Sequence, residues 1–194
     1  MSACKNSCTE QQRKAHRHKG KSSESLLDKR LILSALNIQP GQRVLDAGCG
    51  NGYMTKEFIK IVGDKGKVFA IDPDEESIMT LTQELAETNA EAIVADVTKQ
   101  TCIAENSIDL IYLSTVLHGF SKEQQRGFQD EVQRLLCSEG RLAIVEIVKE
   151  ETPFGPPLEI RFSKEELAKL FALTPLTTIK VGEYLYMSVF QKKT

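Results

Sequence analysis

The sequence predicts an α/β domain: a doubly wound, mostly parallel sheet completed by an antiparallel strand. Three observations predict it. Short apolar runs alternate with segments of helical period from Ser25 to Val148, and several of the runs close on an acidic residue. The segments between most of these runs are long enough to hold a crossover helix, and right-handed crossovers leave few topologies other than a parallel sheet with helices on both faces. Near the end, Thr177 to Val181 and Tyr184 to Phe190 alternate in polarity and are joined through Gly182-Glu183, which reads as a hairpin and makes the sheet mixed.

Length and composition bound the function. A chain of 194 residues suits one domain with a substantial core and is short for two. Its 41% hydrophobic and 27% charged residues are those of a soluble globular protein. No run approaches the roughly 18 apolar residues of a membrane span, and the polar N-terminus lacks the apolar centre of a signal peptide. The expectation is a cytoplasmic protein with no membrane partner. Cys4, Cys8, Cys49, Cys102 and Cys137 are odd in number and scattered, which argues for a reducing compartment and against a disulfide framework.

Charge is unevenly distributed along the chain. Residues 1 to 24 hold Lys5, Arg13, Lys14, Arg17, Lys19 and Lys21 against Glu10 and Glu24, a net of +4, which leaves −6 for residues 25 to 194. The body therefore has no domain-wide basic footprint, and no nucleic-acid partner is expected. The first 24 residues contain almost no large apolar side chain, so they read as a basic, flexible tail or a flap over the site. Cys4, Cys8, His16 and His18 fit no standard zinc spacing, although a metal or soft-metalloid site there is a third reading.

The elements follow in order. Leu26, Leu27, Leu31, Ile32, Ala35 and Leu36 form a helical stripe that stops before Pro40-Gly41. Val44, Leu45 and Ala47 make a buried strand, which Gly48, Gly50 and Gly52 break. Met54, Phe58, Ile59, Ile61 and Val62 then define a helix ended by Gly63. Lys67 to Asp72 is the second strand, Glu75 to Thr88 a helix entered at Pro73, and Ala92 to Ala95 the third strand. Ile108 to Leu113 is the fourth strand, Gln124 to Cys137 a helix, and Arg141 to Val148 the fifth strand. Ser163 with Glu166 looks like a capping box for a short helix that Pro175 closes.

The chemistry-bearing residues fall where strands end. Asp46, Asp72, Asp96, the segment from Ser114 to His118, and Glu146 would meet on the rim beyond the carboxyl ends of a parallel sheet, where such folds bind ligands. Asp72 lies twenty residues past Gly52, a spacing that suits a carboxylate taking both hydroxyls of a ribose. A dinucleotide fingerprint would need glycine where Tyr53 stands, and a phosphate-binding kinase loop would need Gly-Lys-Ser/Thr; neither is present. Asp46 is awkward beside a phosphate and comfortable beside a cation.

These segments resemble the class I S-adenosylmethionine-dependent methyltransferases over roughly residues 25 to 194. Val44-Leu-Asp-Ala-Gly-Cys-Gly-Asn-Gly52 looks like their first motif, Ala70-Ile-Asp-Pro-Asp74 the second, Ala95-Asp-Val97 the third and Ile108-Asp-Leu-Ile-Tyr-Leu-Ser114 the fourth. Leu135-Leu-Cys-Ser-Glu-Gly-Arg-Leu142 looks like the turn into strand five. The likeness runs to the branch of ubiquinone and menaquinone biosynthesis C-methyltransferases, methyltransferase types 11 and 25.

The resemblance implies a Rossmann-like, seven-stranded sheet in a single domain with its last strand antiparallel. It also implies S-adenosylmethionine as cofactor, S-adenosylhomocysteine as product, and direct displacement onto a small-molecule acceptor by a monomer or homodimer, with no metal in the transfer. By that resemblance Asp46, Gly48, Cys49, Gly50, Gly52 and Tyr53 hold the methionine end of the cofactor. Asp72 holds its ribose and Asp96 with Val97 its adenine, and Pro73 and Leu113 complete the cofactor site.

Several positions keep two readings. His118 is a candidate base or a structural histidine, and Tyr53 packs on the cofactor or in a helix core. Glu146 and Glu159 face the acceptor or are solvated carboxylates. Cys49 fills the loop or acts as a nucleophile or metalloid ligand. A methyltransferase acting on RNA or protein and a non-catalytic cofactor-binding module are the rival functions.

Overall fold

The computed structural model describes residues 23 to 193. The tail reading, with Cys4, Cys8, His16 and His18, lies outside the described residues apart from its last two positions. A 3-10 turn, Ser23–Leu26, leads into α1 (Lys29–Leu36), β1 (Arg43–Ala47), α2 (Tyr53–Val62), β2 (Lys67–Asp72) and α3 (Glu75–Glu84). The chain continues through β3 (Ala90–Val94), β4 (Ile108–Ser114), α4 (Lys122–Leu135), β5 (Leu136–Ile147), α5 (Lys164–Leu170), β6 (Thr174–Lys180) and β7 (Leu185–Gln191). Single 3-10 turns lie at Leu117–Gly119 and Leu158–Ile160.

The seven strands form one sheet in the order β3-β2-β1-β4-β5-β7-β6. The first five are mutually parallel, and β7 runs antiparallel to both β5 and β6. From β1 the chain builds outward through β2 and β3, then returns to the other side of β1 with β4. That reversal opens a crevice at the carboxyl ends of β1 and β4, the place where open α/β sheets bind ligands. No helix among the described residues is long and apolar enough to cross a membrane.

Strand alternation divides the core between two faces. Val44, Leu110 and Tyr112 face Ile32, Leu36 and Phe58 of α1 and α2, while Leu45, Ile111 and Leu113 face Phe128, Val132 and Leu167 of α4 and α5. Phe58 and Phe128 are fully buried, and each such side chain contributes about 2–3 kcal/mol by leaving water. Phe58 also meets Tyr112 edge-on at 5.4 Å.

Local chemistry sets the helix ends. Asp28 caps α1 by accepting from the Leu31 N–H, and Asn37 closes it in the left-handed region. Gly63, at φ 61°, ends α2. The capping box foreseen at Ser163 and Glu166 is present in α5. A second box, Ser121 with Gln124, starts α4 at Lys122 rather than at Gln124, because the glutamine is the third helical residue of its own cap. Asp74, and not Pro73, caps α3, which stops at Glu84 instead of Thr88. Pro175 does not close a helix: it lies inside edge strand β6, where the pairing register shifts and a missing N–H is tolerated.

Gly127 stands in the middle of α4, where alanine is normally better by about 1 kcal/mol. Here a Cβ would overlap the carbonyl of Thr98, on the segment that follows β3. Gly127→Ala is therefore expected to destabilise the protein by about 1–3 kcal/mol, against its helix propensity, as read by the urea midpoint.

Candidate functional site

Three glycines shape the loop after β1. Gly48, Gly50 and Gly52 all take positive φ, at 69°, 52° and 76°, so the chain turns left-handed at every second residue. The amides of Gly48 and Cys49 donate to the Ile71 carbonyl at 2.7 and 3.0 Å, and the Gly50 amide donates to Asp72 Oδ2 at 2.9 Å. The loop is thereby bound to the end of β2. A Cβ at Gly48 would press on Val116, 2.8 Å away, and one at Gly52 would overlap Leu81, whereas one at Gly50 would meet nothing. Gly50 presents the open face of the loop.

Beneath the loop lies Asp46, 3% exposed, which accepts a 2.6 Å hydrogen bond from the hydroxyl of Thr55 on α2. Burial, opposed by Thr55 and reinforced by the neighbouring Asp72, raises its pKa from the ordinary carboxylate range to about 7. On β4, directly across from Asp46 in register, Tyr112 is buried, and its phenol sits near the Ser114 hydroxyl. Apart from each other, neither hydroxyl has a hydrogen-bond partner among the described residues. Such orphans are rare in a folded interior and mark where a ligand or water completes the polar shell. Burial pushes the Cys49 thiol well up, which keeps it protonated and favours the loop-filling reading. Tyr53 opens α2 with Lys29 over its ring at 5.1 Å, and the backbone N–H of Tyr53 is taken by Asn51 Oδ1.

On the β2–β3 side, Asp72 also accepts from the Asp74 N–H at 2.9 Å, with half-buried Pro73 beside it. Asp96 Oδ1 accepts from the N–H and the hydroxyl of Thr98, at 2.9 and 2.6 Å. Val97 and Leu113 belong to the core on the α4 face.

Across the crevice, Thr115 leaves β4 with φ 55°, an uncommon conformation for a β-branched residue. The turn it starts lays Val116 on Gly48 and brings His118 to Glu146. Glu146 is fully buried, so it is not a solvated carboxylate. One oxygen lies 2.7 Å from His118 Nδ1, and the other accepts the His118 N–H at 3.3 Å. In the neutral imidazole this pairing puts the proton on Nδ1, which makes Nε2 the acceptor. Glu159 stands exposed on the Leu158–Ile160 turn, at the edge of a cavity that His118 also lines.

The structure thus gathers Asp46, the glycine loop, Asp72, and the pair His118 and Glu146 at one end of the sheet, and leaves Glu159 on an outer rim. Sequence reasoning missed Thr55 and Arg161, and it carried Tyr112 and Thr115 only inside longer segments without a role of their own. A threonine inside the apolar stripe of α2 marks a polar insertion but not its partner. Arg161 gave no signal. Among the described residues, no three His, Cys, Asp or Glu side chains are placed to hold a metal ion.

Residues 44–140 match the methyltransferase-domain family, half of the chain. The chain is 27% identical over 166 residues to the ubiquinone/menaquinone biosynthesis C-methyltransferase UbiE of Photorhabdus laumondii, covering 82% of this chain and 63% of that protein. It is 47% identical over 57 residues to a probable cobalt-precorrin-6B C(15)-methyltransferase of Saccharolobus solfataricus, covering 29% of this chain and 28% of that one. It therefore spans less than two thirds of the length of these relatives. The crystal structure of a SAM-dependent methyltransferase from Aquifex aeolicus superposes with a TM-score of 0.78 at 28% identity, over 92% of this chain and 97% of that one.

Asp46 has a measurable signature. Its pKa is 3.8 unfolded and about 7 folded, so folding takes up a proton between those values, and the stability present below about pH 4 is lost as pH rises to about 7. Asp46→Asn removes that loss. Urea unfolding is expected to show the variant close to wild type near pH 4 and more stable at pH 8, by roughly 4 kcal/mol at most.

Proposed function

The chain belongs to the class I S-adenosylmethionine-dependent methyltransferases of the type 11/25 branch, and on that premise we propose that it methylates a small-molecule acceptor by direct displacement. The observation that carries the reading is Asp46, a buried carboxyl under the open face of a glycine loop, which suits a cationic cofactor and not a phosphate. The orphaned hydroxyls of Tyr112 and Ser114 beside it give the amino-acid end of such a cofactor further polar partners. Asp72, already fixed against Gly50, takes the ribose hydroxyls and Asp96 with Val97 the adenine, whereas Leu113, fully buried in the core, supports that wall from behind. The cofactor supplies an electrophilic methyl group on a sulfonium sulfur.

The protein's own residues then do three things. Asp46, ionised, balances the positive charge of the bound cofactor. The rigid loop and the Thr115 turn hold both partners in line, and positioning of this kind supplies much of the rate of a bimolecular displacement. His118 Nε2 takes the proton that the acceptor loses as its lone pair forms the new bond to the methyl carbon and the carbon–sulfur pair returns to sulfur; Glu146 holds the ring for that transfer. Glu146 acts through the histidine, and His118 contacts the acceptor while Glu159 stands at the rim of the cavity it enters. The proposed compartment is the cytoplasm, whose reducing conditions suit the free thiols of Cys49, Cys102 and Cys137.

Calorimetry and initial rates test these roles separately. Asp72→Ala is expected to weaken S-adenosylmethionine binding roughly 10- to 100-fold, the loss of one or two hydrogen bonds to a charged group; absence of binding by the wild type would sink the proposal. His118→Ala and Glu146→Gln should leave cofactor affinity within about twofold and lower kcat by at least about 100-fold.

Affinity should also depend on pH. Below about pH 7 Asp46 takes up a proton in the free protein, so the dissociation constant is expected to rise by up to about tenfold per unit as pH falls. Asp46→Asn should flatten that profile.

A further inference from the structure

A cavity of about 520 Å³ opens beside His118, between the start of α4, the end of β5 and α5. Phe120, Ile160, Phe162 and Leu170 give it an apolar wall. Its charged groups are Lys122, Lys149, Arg161 and Lys169 against Glu159 and Glu166. This excess of cations stands in a body that carries −6 over residues 25 to 194.

The positive charge is not cancelled locally. Lys149 reaches both oxygens of Glu166 at 2.7 and 2.8 Å, which neutralises that pair. Among the described residues Lys122 bonds the amide oxygen of Gln125, at 3.4 Å, with the Glu166 carboxylate near enough to feel its charge, and Lys169 makes no ion pair. Arg161 is the more telling group. It is 6% exposed, yet no carboxylate among the described residues pairs with it. Its guanidinium donates to the carbonyls of Val148, Glu150, Phe154 and Pro156 and to the Thr152 hydroxyl, at 2.7 to 3.3 Å.

Carbonyl dipoles solvate a cation without removing its net charge, so the field of Arg161 reaches the cavity through a medium that screens poorly. The amino end of α4, which starts at Lys122, adds partial positive charge on the same side.

We propose that this cavity is the acceptor subsite and that the acceptor is an anion, bearing a carboxylate or phosphate between Lys122 and Lys169 and an apolar body on Phe120 and Phe162. This rests on the methyltransferase reading and narrows its substrate class. An anion gains from Arg161 and both lysines, whereas a neutral acceptor gains nothing from them. Glu159, on the outer rim, repels an anion that does not enter fully.

The test passes a metabolite extract over an anion exchanger and incubates the retained and flow-through fractions with the full-length protein and methyl-labelled S-adenosylmethionine. Label is expected in the retained fraction. Prior phosphatase treatment abolishes it for a phosphate ester and spares it for a carboxylate. With the acceptor isolated from that fraction, Lys122→Ala combined with Lys169→Ala should raise its KM at least tenfold and leave cofactor affinity within twofold, and arginine at both positions should restore KM.

Label confined to the flow-through, or equal KM for wild type and double variant, overturns the anionic acceptor and leaves methyl transfer standing. Label in neither fraction also overturns it, and cofactor titration of the same sample then decides whether the methyltransferase reading falls too.

Discussion

The backbone bonds that fasten the glycine loop to the end of β2 are the constraint on which the rest of the site depends. Two loop amides share the Ile71 carbonyl and a third is held by Asp72, so the loop cannot move without breaking the terminus of a central strand. Because the loop is fixed, Gly48 offers a flat seat for Val116, and that contact sets the path of the segment carrying His118. The acid at the base of the loop, the acid beside it and the histidine opposite are therefore placed by one rigid substructure. Pre-organisation of this kind is what a displacement reaction needs, since the reacting partners must be aligned before the bond changes.

A second theme is the separation of charge across the crevice. On the β1–β2 side Asp46 and Asp72 face the loop, with Asp46 buried deeply enough to resist ionisation in the free protein. On the far side Arg161 is buried without a counter-charge, near Lys122 and Lys169. Both groups are hydrogen-bonded but lack a counter-charge among the described residues, so the two sides carry uncompensated charge of opposite sign. A cation suits the first side and an anion the second. The nucleophile and electrophile of a methyl transfer would thus be brought together by complementary fields, with His118 and Glu146 at the boundary.

Much of this was legible in the chain. Alternating apolar runs fixed the strands, glycines at every second position identified the loop, and acids at strand ends marked the rim. Boundaries were less legible where a cap outweighed periodicity, as at Ser121 and Asp74, or where an edge strand tolerated Pro175. These are local competitions of a few tenths to about 1 kcal/mol, too close for apolar periodicity to decide.

The sequence by itself determined the sheet, the loop and the convergence of Asp46, Asp72 and Glu146 on one end of the fold, because side-chain period and strand direction suffice to place residues on a face and an edge. Only the tertiary structure decided what each group meets there. That Glu146 grips His118, that Thr55 grips Asp46, and that Arg161 is buried among carbonyls depends on contacts between residues 28, 9 and up to 13 positions apart. Burial and partnership, which set the charge and orientation of a group, are properties of packing, and no local pattern encodes them.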